Sequence, residues 1–150
     1  MREDTVPEGQ YDFEPLAREI VVNRLADAPA FAAAAAKTAR DIILPALKAT
    51  LPSQQAKITT FQVCRGIMTG IIALDKAPCE TCVAILAMTA EIAQEGNLAP
   101  ADLMTWAMEG IASIVALFDR HDAEKVETAI ESRFAGAGYV FAELCRKYSG

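Results

Sequence analysis

Pro100-Ala101-Asp102-Leu103-Met104-Thr105-Trp106-Ala107-Met108-Glu109-Gly110-Ile111-Ala112-Ser113-Ile114-Val115-Ala116-Leu117-Phe118-Asp119 is the stretch on which the fold turns. Wound as a helix, it carries one apolar stripe of Met104, Met108, Ile111, Val115 and Phe118 and a second of Leu103, Trp106, Gly110, Ile114 and Leu117. Thr105, Glu109, Ala112 and Ala116 leave only a narrow, weakly polar face. A helix apolar on nearly every side is one that other elements surround. This segment is therefore expected to be the central and most buried helix. Pro100 suits a first helical turn, and Asp102 sits where the helix dipole favours a carboxylate.

Helical signals continue in both directions from it. On the C-terminal side, Asp122 is expected to cap a sixth helix with the stripe Val126, Ile130, Phe134, Ala137, Phe141, Leu144 and Tyr148. Gly136-Ala137-Gly138 falls within that stripe and so is no phosphate cradle. On the N-terminal side, Gly96-Asn97 ends a fourth helix bearing Cys82, Val83, Leu86 and Ala90. Asp75-Lys76-Ala77-Pro78 separates it from a third, with Ser53 as its cap and Ile58, Phe61, Cys64, Met68, Ile71 and Ile72 on one side. A second helix opens at Pro29 and runs past Ile42, Ile43 and Leu47, with a kink or early end expected at Pro45. A first follows Pro15 with Leu16, Ile20, Val21 and Leu25.

No segment alternates with period two for long enough to be a strand. The expected fold is all-α, an antiparallel bundle of five to six helices forming one domain over residues 14–150. Residues 1–13, with Glu3, Asp4, Glu8 and Asp12 against Arg2, read as an acidic arm that a binding partner would order. A shift of 44 residues aligns Gly66-Ile67 with Gly110-Ile111 and Asp75-Lys76 with Asp119-Arg120. Two successive hairpins, 54–96 and 99–148, would give that match at a period helical repeats use. Any two amphipathic hairpins align comparably, so no weight is laid on it.

Composition bounds the function. The chain has 150 residues, 53% of them apolar, and twenty acidic against fourteen basic residues leave a charge of −6. That content can bury a core and excludes general disorder. The acidic balance argues against a nucleic acid or an anionic membrane as partner. The longest uncharged run, Thr81 to Ala90, is about half of the roughly 20 residues that a bilayer span needs. The charged start Met1-Arg2-Glu3-Asp4 lacks an export signal's apolar run, so a reducing cytoplasm is expected and the four cysteines are not a disulfide framework.

The strongest chemical signal is Pro78-Cys79-Glu80-Thr81-Cys82. Cysteines three apart in a first helical turn share a face, within reach of a disulfide or a shared metal, and the helix N-terminus favours a thiolate. Glu80 opposes that thiolate, and no strand precedes the motif as in a thioredoxin-like site. The competing reading is two small packing residues. In a simple up-and-down bundle Cys64 would lie about 15 Å from the level of Cys79, and Cys145 on the order of 20 Å away at the opposite end. A tetrathiolate site would then be out of reach. His121, the single histidine, excludes Glu-x-x-His di-iron sites.

Glu109 is the best buried-carboxylate candidate, and Arg65 beside the third helix's core face is its expected partner. Gly66 and Gly70 sit four apart, and with Trp106 and Met108 they mark a face for tight packing or for a second subunit. No residue set calls for a cofactor or a metal. The leading expectation is a non-enzymatic helical module that self-associates, as a dimer first of all, or docks onto a protein partner. The alternatives are a thiol redox protein or sensor using Cys79 and Cys82, and a ligand-binding bundle lined by Met104, Trp106 and Met108.

Overall fold

The structure is a computed structural model that describes residues 11–48, 55–115 and 117–149. Among them the chain forms seven helices and no strand: α1 (Glu14–Arg24), α2 (Phe31–Lys48), α3 (Ala56–Leu74), α4 (Cys79–Gly96), α5 (Pro100–Val115), α6 (Arg120–Arg133) and α7 (Ala137–Ser149). All-α is right, and five to six helices is too few. The expected sixth helix is two, because the chain breaks at Phe134–Gly136, where Gly136 adopts φ +91°. The Glu131 carboxylate accepts from the N–H groups of Gly136 and Gly138, both at 2.9 Å, and so caps the start of α7. Gly136-Ala137-Gly138 is thus the turn and the new start, not the middle of a stripe.

Several boundaries fall where the residues require. Asp75 and Asn97 take the left-handed conformation that closes α3 and α4. Asp119, not Asp122, caps α6 by accepting from the Asp122 N–H at 2.9 Å. Pro45 lies inside α2, which continues past it to Lys48, the last described residue before 55. Ser53, the expected cap of α3, and residues 1–10 of the acidic arm lie outside the described residues. The arm's last residues dock on the bundle: the Phe13 N–H donates to the Gln62 side chain at 3.1 Å, and Phe13 packs against the core.

Connections of a few residues force successive helices to reverse, so alternate helices run the same way and lie side by side. Glu14 and Val21 of α1 meet Gly66 and Gly70 of α3 in the same order. Arg40 of α2 bridges Glu91 and Glu95 of α4, at 2.7 and 2.9 Å. The result is two layers, α1–α3–α5 and α2–α4, with α6 packed on α4 and α7 on α5 at the C-terminal end. This differs from a bundle in which chain neighbours make the main contacts, because glycines let α3 approach α1 and α5 more closely than ordinary side chains would.

The most buried element is α5. Leu103, Ala107, Met108 and the run Gly110–Val115 are all buried beneath α3, α4 and α7. By Leu117, a turn residue 73% exposed, the helix has ended, earlier than expected. No helix among the described residues is long and apolar enough to cross a membrane.

Candidate functional site

The Cys79–Cys82 pair begins α4, and the two residues have different surroundings. Pro78 stands before the first turn and offers no side-chain cap. Cys79 is half-buried, whereas Cys82 is fully buried and directs its thiol at the Met68 sulfur, 3.9 Å away on α3. All four cysteines are free thiols. Burial pushes the Cys79 thiol above its ordinary pKa, with Lys125 opposing and Asp122 adding to the rise. Burial pushes Cys82 up much further, and Cys79, Cys64 and Cys145 all add to it.

The last effect corrects the expected spacing of the sulfurs. Cys64 and Cys145 both lie near enough to Cys82 to oppose its ionisation, so Cys145 is not at the far end of the molecule. The break at Gly136 folds α7 back onto α5, and the close α3–α5 packing sets Cys64 in the same core. Burial drives the Cys64 thiol to about 12 and that of Cys145 to about 11. Among the described residues no group of three His, Cys, Asp or Glu side chains is arranged to hold a metal ion. His121 is exposed and makes no hydrogen bond to Cys79.

Arg65 and Glu109 line one cleft, together with Phe61 and Trp106, but they do not pair. Arg65 Nε donates to the Glu14 carboxylate at 3.2 Å. Glu109 accepts from Lys147 Nζ at 2.7 Å and from the Tyr148 hydroxyl at 2.8 Å. The Lys147 hydrogen bond holds the Glu109 carboxyl below its ordinary pKa, partly against burial. Burial and the bond to Glu109 raise the Tyr148 phenol to about 12. The expected pair is therefore two separate ties, one fastening α1 to α3 and one fastening α7 to α5.

The glycine face serves packing within the chain. A Cβ on Gly66 would lie 2.3 Å from the Glu14 carbonyl oxygen, and one on Gly70 would lie 2.7 Å from Val21 Cγ1. Both glycines are covered by α1. Met108 is buried at 3% exposure and Trp106 is half-buried, so these two do not form one exposed face with the glycines.

Sequence reading missed a groove between α1 and α2. Phe13, Leu16, Ile20, Leu25, Ile42 and Pro45 line its apolar part, around about 720 Å³ of space, and Arg24, Lys37 and Asp41 stand beside them. Leu16, one of the residues that marked the first helix, is 36% exposed there because α1 turns its small side, Ala17, toward Gly66. No family model matches the chain, and no curated protein or solved structure matches it either.

Proposed function

We propose that the chain is a non-enzymatic assembly module whose partner at the α1–α2 groove is a second copy of itself. The groove's position carries the reading. In a layered helical array each helix buries its sides against neighbours, and terminal units need a cover. At the C-terminal end α6 and α7 supply one, whereas among the described residues α1 and α2 pack mainly on α3, α4 and each other. The outer side of α1 presents Leu16 and Ile20 over an apolar channel.

A second copy suits this groove through its charges. Arg24, in no ion pair among the described residues, stands on one patch with Lys37 and Asp41, which pair with each other at 2.9 Å. An isologous contact needs both signs on the same surface, because each patch meets itself across the two-fold axis. Burying Leu16 and its neighbours would contribute roughly 25 cal/mol per Å² of apolar area removed from water. The thiol-redox alternative has less to support it, since burial moves both Cys79 and Cys82 away from the thiolate form.

Substitution on the groove tests this reading. Leu16→Glu is expected to reduce the particle mass to that of one chain while helical content by circular dichroism stays unchanged. Tyr139→Glu, on α7 and 70% exposed in the wild type, should leave the mass as it was. If Tyr139→Glu splits the assembly and Leu16→Glu does not, the groove is not the interface. A wild-type monomer that takes up a different protein at the groove would replace self-association by partner docking.

A further inference from the structure

We infer a binding site for an organic phosphate monoester in the cleft where the N-termini of α2 and α4 meet. The first turns of these parallel helices, Phe31–Ala33 and Cys79–Thr81, all line one cleft of about 1000 Å³. The first intrahelical bonds run from Ala34 N–H to Ala30 and from Cys82 N–H to Pro78. The six N–H groups before them find no acceptor among the described residues. Neither Ala30 nor Pro78 has a side chain that could cap them. Each helix end presents about half a positive charge along with its free N–H groups, the arrangement that anions occupy.

A buried hydroxyl points to a ligand independently of the helix ends. Thr81 is 1% exposed and lines this cleft, and its hydroxyl makes no hydrogen bond among the described residues. Thr38, Thr89 and Ser113 bond back to Ala34, Leu86 and Gly110, whereas Thr59, also 1% exposed, makes no hydrogen bond among the described residues but does not line this cleft. Thr60 also lacks a partner, but its oxygen is sealed in the core. Thr81 is not among the sealed groups, so what remains accessible of it opens on the cleft it lines. A buried hydroxyl without a partner is costly unless something supplies one.

Charge selects an anion. Lys76 and Arg133 line the cleft, and neither is ion-paired among the described residues. Lys76 Nζ rests 5.0 Å from the centroid of the Phe31 ring, and the Arg133 guanidinium 5.8 Å from that of Phe134. Glu80 is the carboxylate that opposes them, exposed at the rim. A phosphate offers three oxygens to the two sets of N–H groups, the two cations and the Thr81 hydroxyl, more acceptors than a carboxylate has. The walls, Pro29, Val83 and several alanines, suit an apolar body attached to that phosphate. This inference stands apart from the groove between α1 and α2 and does not depend on self-association.

Amide NMR of the full chain, titrated with inorganic phosphate and with phenyl phosphate, tests it. Both probes should shift the amides of residues 31–33 and 79–81 saturably, and phenyl phosphate should bind more tightly. The double variant Lys76→Gln, Arg133→Gln should weaken phenyl phosphate by roughly tenfold or more, the effect of losing charge-assisted hydrogen bonds. Thr81→Val should weaken it and Thr81→Ser should restore it, which separates loss of the hydroxyl from misfolding. Shifts that do not saturate, shifts centred elsewhere, or a double variant that binds like wild type would overturn the proposal. So would binding to vesicles containing phosphatidic acid without any response to phenyl phosphate, because the ligand would then be a membrane surface.

Discussion

Gly66 has no room for a methyl group, since a Cβ there would sit 2.3 Å from the Glu14 carbonyl oxygen. Backbone cannot give way as a flexible side chain can, so Gly66→Ala should destabilise the chain by about 1–3 kcal/mol in denaturant melts. Glu109 makes a second prediction at this scale. Its folded-state pKa is depressed by Lys147, so the stabilisation is present above the ordinary glutamate range and is lost as pH falls through the lower folded value. Glu109→Gln should cost about 1 kcal/mol at pH 7, because Lys147 is well exposed, and the difference from wild type should shrink in acid. A gap that stays constant down to low pH would deny the charge a role. The thiols give a third: alkylation near pH 8 should reach Cys79 first and Cys64 and Cys82 only on unfolding. The sequence made Glu109 legible as an unusual carboxylate, but not its partners. Lys147 and Tyr148 come to it only through the fold-back of α7, which neither spacing nor charge pattern encodes.

Helix α5 was the most legible element, because two apolar stripes on one segment leave few ways to avoid burial. Met108 and Ile111 are enclosed, so truncating either to alanine should cost about 2–5 kcal/mol in denaturant melts. Val22→Ala, at a half-buried position on α1, should cost clearly less. Equal effects would mean that α5 is no more central than α1. The α6–α7 break was not legible. Ile130, Phe134, Ala137 and Phe141 keep helical spacing straight across it, while the decisive feature, the positive φ of Gly136, belongs to the folded chain. Asp75 and Asn97 were readable as helix ends because residues tolerant of the left-handed conformation stood where the apolar pattern lapsed. Spacing alone showed Gly66 and Gly70 to be a contact face without saying which helix covers it.

The described residues form two helical layers, with α6 and α7 packed at the C-terminal end and a groove between α1 and α2. Amphipathic patterns show how much of each helix must be buried, but not which neighbour buries it, so the layer order and the open groove emerge only with the tertiary structure. Composition suggested an associating surface through its apolar excess, and the proposed self-association would place it beside Leu16 and Ile20. If two copies meet there, association should depend on concentration and weaken modestly with salt, which screens the charges meeting across the axis but not the apolar contact. Sedimentation velocity of the wild-type chain across a wide concentration range tests this claim most directly. The account predicts a species of twice 16.1 kDa that gives way to one of 16.1 kDa on dilution. A single 16.1 kDa species at every concentration would contradict it.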